Sequence, residues 1–200
     1  MSNREIFLKK FLLISIVFLT GMLLFIASSA CTSTRAFYSL DVSLEKPKVS
    51  KTLAFSDENI DISFLLEKTC ISFKIKNKTD EGIKIKWDDL SFITINGTSY
   101  RIIHSGVRYV KKDEPQFPTT IPPKMEISDL MIPAYNVYFV SGQNSYWNVY
   151  ELFSFPAKEI EAKKMYEGKN FSIYMPLEIK GKKKEYTFSF KIDKVVVKKQ

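Results

Sequence analysis

His104 is the only histidine among 200 residues, and it stands beside Ser105 with Asp88 and Asp89 upstream. Serine, imidazole and carboxylate are the parts of a nucleophilic hydrolase, in which the imidazole takes the serine proton and the carboxylate orients the imidazole. The spacing argues against that use. Neighbours on a strand point to opposite faces, so His104 and Ser105 do not face each other. His104 reads as a structural residue beside the bend at Gly106, and Asp88 and Asp89 read as turn formers at a strand end. A hydrolase is therefore the weakest functional reading. A lone histidine leaves no room for a multi-histidine metal site. Asp57, Glu58, Asn59 and Asp61 gather oxygen atoms of the kind calcium takes, but they lack the glycine and closing glutamate of the helix-loop-helix calcium site. Seven glycines form no phosphate-cradling loop. No catalytic residue, metal or cofactor is assigned.

The stretch from Tyr135 to Phe155 offers binding chemistry instead. It holds Tyr135, Tyr138, Phe139, Tyr146, Trp147, Tyr150, Phe153 and Phe155 around a turn at Gly142-Gln143-Asn144. Aromatic rings with polar tips, mixed with Asn and Gln on a loop, suit stacking on sugars or anchoring a protein partner. Tyr138, Tyr146 and Trp147 are the candidate partner-binding residues, with Tyr138 and Trp147 expected to be exposed. Packing over an open end of the domain is the competing use of the same rings.

The two cysteines, Cys31 and Cys70, have different settings. Cys70 falls among Ile71, Phe73 and Ile75 in an expected strand and reads as a buried free thiol. Cys31 ends a different kind of segment. Arg4, Lys9 and Lys10 precede an apolar run from Phe11 to Ala27, and Ala27, Ser28, Ser29 and Ala30 follow. That order is the order of a secretory signal with its cleavage site, here an apolar helix over residues 1–30. The end of the signal, Ala27-Ser28-Ser29-Ala30-Cys31, resembles the lipobox of bacterial lipoproteins, whose cysteine is acylated and becomes the new N-terminus. Ser28 departs from the aliphatic residue usual there. Three readings follow: acylation of Cys31, ordinary cleavage after Ala30, or an uncleaved single-pass anchor, since Phe11 to Ala30 matches the roughly 20 residues that span a bilayer. A cysteine at the end of a signal, in a chain with one other, favours acylation. All three place the domain outside the cytoplasm, in a cell membrane or outer membrane setting.

Removal of residues 1–30 takes the net charge from +8 to about +6. Export makes nucleic acid an unsuitable partner for that charge, and the lysines read as outward faces of strands and turns. The remaining ~170 residues fit one domain with a self-sufficient core.

The positioning elements follow from periodicity. Residues 31–56, with Pro47 and little sustained pattern, read as a tether leading into a weak strand around Leu40 to Leu44. Ile71 to Lys76 and Ile83 to Trp87 alternate apolar and polar residues and read as a hairpin across Asn77 to Gly82. Ser91 to Ile95 and Ser99 to Ile103 flank Asn96-Gly97, the signal of a hairpin with a type I′ turn. Pro115, Pro118, Pro122 and Pro123 mark a crossing loop, and Lys124 to Ile132 a strand. Pro156 opens a short helix through about Glu167, stopped by Gly168. Phe171 to Ile179 and Tyr186 to Val197 form a closing hairpin at Gly181. Many short strands with turns at this spacing predict an all-β sandwich over 57–200 with one short helix.

Asn77-Lys78-Thr79-Asp80, Ile85-Lys86-Trp87-Asp88, Asn96-Gly97, Arg101 to Val107, Ile121-Pro122-Pro123 and the closing hairpin resemble a family of uncharacterised bacterial lipoproteins. The resemblance implies an immunoglobulin-like β-sandwich held to a membrane by an acylated N-terminus. It implies location and architecture and no activity; the aromatic stretch is what suggests a binding or structural module of the cell envelope, with another envelope protein or a wall polymer as partner.

Overall fold

The computed structural model describes residues 36–199, and the predicted signal and Cys31 lie outside them. The described chain is all-β apart from one α-helix and three single-turn 3-10 segments. The first strands are β1 (Ala36–Lys46), β2 (Ala54–Ser56), β3 (Ile60–Leu66), β4 (Ile71–Asn77) and β5 (Ile83–Ile85). β6 (Ser91–Ile93), β7 (Ser99–His104), β8 (Thr119–Ile121) and β9 (Glu126–Pro133) follow. The last are β10 (Val137–Val140), β11 (Tyr146–Val149), β12 (Asn170–Ile179) and β13 (Lys182–Lys199), with α1 (Glu159–Tyr166) between β11 and β12.

Eleven strands join one sheet whose main path runs β1-β13-β12-β6-β7-β9-β4-β3-β2, with β5 on β12 and β8 on β5. β10 and β11 form a separate ribbon. The sheet is nearly closed, because its first and last strands are drawn together. Leu44 at the end of β1 donates to Ser50 O at 2.8 Å and accepts from Ser50 N at 2.9 Å, just ahead of β2.

The closure is driven by burial. Phe64 of β3 meets Phe188 and Phe190 of β13 with ring centroids 4.8 and 5.2 Å apart, although β3 and β13 lie near opposite ends of the strand order. Phe55 adds an edge contact to Phe188 at 5.8 Å. The inner face of the sheet is thus its own partner, and each ring removed from water contributes about 1.5–3 kcal/mol. β7 couples the two halves. Its first residues, Ser99 to Arg101, pair with β6, and its last, Ile102 to His104, pair with β9.

Three local expectations are corrected. The residues expected as a tether over 31–56 are strand from Ala36, because Tyr38, Leu40, Val42 and Leu44 alternate onto the core and Leu44 is fully buried. The expected hairpin between Ile71–Lys76 and Ile83–Trp87 does not form. β4 pairs with β3 and β9, while β5 pairs with β12 and β8. The intervening residues carry the chain from one part of the sheet to the other, and buried Asn77 holds that crossing. Its Nδ2 donates to Glu81 O, Ile121 O and Pro122 O at 2.7, 3.0 and 3.1 Å, and its Oδ1 accepts from Thr79 N and Oγ1 at 2.8 Å each.

The Asn96-Gly97 hairpin forms, with β6 on β7. Its turn is not type I′: Gly97 has φ of 80° and donates to Thr94 O, while Asn96 keeps a negative φ. That is a longer loop closed by a left-handed glycine. The closing hairpin of β12 and β13 is in register from Asn170↔Lys191 to Ile179↔Lys182.

Candidate functional site

The β10–β11 ribbon carries the aromatic stretch, and period two divides its rings between two faces. Val137 opposite Val149 and Phe139 opposite Trp147 form one face. That face packs on a small core of Cys70, Ile103, Ile132 and Ala134, with Trp147 and Val149 partly buried against it. Trp147 also meets Phe139 at 5.3 Å and Tyr109 at 6.3 Å. Tyr138 opposite Asn148 and Val140 opposite Tyr146 form the other face. There Tyr138 stacks on Tyr150 at 3.9 Å and 14°, and Asn148 Nδ2 donates to the Tyr138 hydroxyl at 2.8 Å. Tyr146 and Tyr150 are more than half exposed.

The ribbon is tied at both ends. Ser145 Oγ accepts from Gly142 N and donates to Gly142 O at the tip. At the base, Tyr150 N donates to Asn136 O at 2.8 Å, and Asn136 Nδ2 reaches Tyr150 O and Glu151 O. Such a ribbon presents fixed rings, which lose little freedom on binding.

Trp147 and Tyr138, both expected to be exposed, are each half-buried: Trp147, next to Tyr146 in an extended ribbon, turns to the core-facing side, and Tyr138 stacks on Tyr150 on the outward one. Tyr138 and Tyr146 share the outward face. Two further rings belong with the stretch. Tyr150 extends the outward stack, and Tyr135, two-thirds exposed, stacks on Tyr100 of the adjoining sheet at 4.7 Å. The Tyr100 contact crosses strands far apart in sequence and has no signal in local spacing.

The hydrolase parts are brought together differently from the way they were weighed. His104 Nδ1 lies 3.3 Å from Asp129 Oδ2, and its ring stacks on buried Trp87 at 4.2 Å and 7°. Asp129 Oδ1 accepts from Ser105 N at 3.0 Å and Leu130 N at 2.7 Å. Asp88 is held elsewhere, by Arg101 Nη2 at 2.6 Å and Gln116 N at 3.2 Å. The carboxylate that faces His104 is thus one that spacing did not select. It binds the Ser105 backbone, so Asp129 serves as the clip of the β7 end.

Asp57 is the most perturbed carboxyl group. Its Oδ1 accepts from Asn59 N and Ile60 N, and its Oδ2 accepts from Lys184 Nζ at 2.9 Å and the Tyr186 hydroxyl at 2.8 Å. Burial opposes its ionisation, but the Ile60 amide, the Lys184 ammonium, the Asn59 amide and the Tyr186 hydroxyl outweigh it and bring its pKa to about 2. Burial, reinforced by the Asp57 hydrogen bond, pushes the Tyr186 hydroxyl up to about 12. Lys184 loses some ionisation to burial, yet Glu58 and Asp57 more than restore it and raise its pKa. The oxygen-rich run 57–61 is therefore occupied by this chain's own cation, pinning the turn before β3 to β13.

A depressed folded-state pKa contributes stability that is full above the unfolded value near 3.8 and lost as pH falls towards 2. Asp57→Asn should remove about 2 kcal/mol at pH 7 and flatten the stability profile between pH 4 and 2, as read by urea denaturation at each pH.

Among the described residues no helix is long and apolar enough to cross a membrane, and no cluster of three His, Cys, Asp or Glu residues is placed to hold a metal ion. Cys70 is a free thiol in the smaller core, and burial pushes its pKa up. Compared with protein-family models, curated proteins and solved structures, the chain matches none of them.

Proposed function

We propose that this chain is a lipid-anchored protein of the cell envelope, acylated at Cys31, whose domain is an immunoglobulin-like β-sandwich acting as a binding or structural module. The curled sheet, with β7 passing from β6 to β9, supports the sandwich reading. The sequence order of apolar run, small residues and Cys31 supports the anchor. A retained, unacylated single-pass anchor is the alternative that the same segment allows.

The observation that carries the binding role is the outward face of the β10–β11 ribbon, where Tyr146 and Tyr150 are exposed and half-buried Tyr138 stacks on Tyr150. Stacked phenols of this kind suit the faces of sugar rings in a wall polymer, or the apolar edge of another envelope protein. Tyr138→Ala with Tyr146→Ala should abolish cosedimentation of the full chain with purified wall polymer, or crosslinking from exposed position 144 at the ribbon tip to an envelope protein in cells. Stability should fall by no more than about 1 kcal/mol, because neither ring faces the core. Unchanged binding in both assays overturns the role. Mass spectrometry of the mature N-terminus tests the anchor, with a diacylated Cys31 expected and an intact Met1 or an unmodified Cys31 refuting it.

A further inference from the structure

The geometry points to a second lipid contact, made by the folded domain: the end of the domain carrying α1 and the later part of β13 lies on anionic headgroups, with Ile160 among them. The inference rests on acylation of Cys31. Only four residues lie between Cys31 and Ala36, so those five residue steps reach at most about 17 Å. An anchor there holds the start of β1 close to the lipid surface whatever the rest of the domain does.

The residues at the start of β1 are tied to α1. The Tyr38 hydroxyl donates to Ala157 O at 3.1 Å, and its ring stacks on Phe155 at 4.9 Å and 10°. α1 begins two residues beyond Ala157. Its other end is tied to β13: Gly168 N donates to Ile192 O at 2.8 Å, Ile192 N to Lys169 O at 2.9 Å, and Val195 N to Glu167 Oε1 at 2.9 Å. β13 is also the sheet neighbour of β1. The start of β1, α1 and the end of β13 therefore share one end of the domain.

The chemistry of that end suits a lipid surface. Ala162 and Tyr166 of α1, one helical turn apart, face the core. Ile160 and Lys164, also one turn apart, fall on the opposite side, and Ile160 is 76% exposed. Met165 is 45% exposed beside a groove of about 320 Å³ lined by Phe92, Ile95, Leu152 and Phe153, with Lys169 at its rim. Residues 158–169 and 191–197 hold six lysines against four carboxylates. All four carboxylates are engaged: Glu159 by Lys163, Glu161 by Lys158, Asp193 by Lys51 and Glu167 by the Val195 amide. An exposed apolar side chain one turn from Lys164, at an end of the domain where lysines outnumber carboxylates, suits an anionic surface, and each lysine near such a surface raises local binding about fivefold.

The test uses the full acylated chain in vesicles of phosphatidylglycerol and phosphatidylcholine containing brominated acyl chains. An environment-sensitive fluorophore is attached through Ile160→Cys, with Lys182→Cys at the opposite end of β13 as the control; buried Cys70 reacts slowly. Bromine should quench the label at 160 and spare the label at 182, and quenching should fall sharply in vesicles of phosphatidylcholine alone. Lys164→Glu with Lys169→Glu and Lys194→Glu, all exposed positions, should abolish quenching at 160 while the protein still floats with the vesicles. Equal quenching at 160 and 182, or quenching indifferent to anionic lipid and to charge reversal, overturns the contact and leaves the anchor standing. Failure of the protein to float removes the anchor and the contact together.

Discussion

Asn77→Ala is expected to lower stability by about 3–5 kcal/mol, which for a domain of this size is a large share of the total. The side chain is fully buried and makes five hydrogen bonds, three donated to carbonyls on two different loops and two accepted from Thr79. Glu81 O keeps the Thr79 hydroxyl and Pro122 O keeps the Met125 amide, but alanine takes the side-chain partner from the Ile121 carbonyl and from the buried Thr79 amide, and each such loss costs roughly 1–3 kcal/mol. Asp in the same place keeps the acceptor and loses the donors, so Asn77→Asp should fail as well. Urea denaturation followed by tryptophan fluorescence reads both variants. A loss below about 1 kcal/mol for Asn77→Ala would show that the crossing between β4 and β5 is held by something else.

Trp87→Ala should cost a similar amount, about 3–5 kcal/mol, for a different reason. Trp87 is fully buried, its ring stacks on His104 and meets Phe73 at 6.2 Å, and its Nε1 donates to Thr119 Oγ1 at 2.9 Å. Truncation opens a cavity under β7 and frees the histidine. Trp87→Phe keeps most of the ring and loses the hydrogen bond, so its cost should be nearer 1–2 kcal/mol. The two variants separate packing from hydrogen bonding. If Trp87→Phe were as damaging as Trp87→Ala, the Thr119 bond would be the essential part.

Both residues show what the sequence does and does not disclose. The alternation at Ile71 to Lys76 and the Asn-Gly pair at 96–97 are local signals, and β4 and the β6–β7 hairpin follow them. The closing hairpin likewise reads from Gly181 and flanking apolar runs. What fails is partner choice. β4 and β5 are adjacent in sequence and each alternates well, yet they pair with other strands because Asn77 turns the chain across the sheet; nothing in spacing separates a hairpin turn from a crossing turn. The centre of β1 reads as a weak strand around Leu40 to Leu44, but its full length, Ala36–Lys46, is hidden by Pro47 and the polar residues around it.

The same limit applies to the aromatic ribbon. That it concentrates rings is plain from composition, whereas the division of Trp147 from Tyr138 and Tyr146 depends on which face meets the Cys70 core. Asp129 is the sharpest instance. It lies 25 residues from His104 and gives no motif, and only the pairing of β7 with β9 brings it within reach.

The bond pair between Leu44 and Ser50 acquires meaning when the domain is considered under load. A pull on the chain where it enters at Ala36 is directed along β1, and the bonds joining β1 to β13 lie across that direction. They are strained together in shear, so none yields before its neighbours share the load. Leu44 and Ser50 add a clasp at the far end of the same strand. A domain entered through its longest outer strand and fastened beyond it is built to stay folded under such a pull.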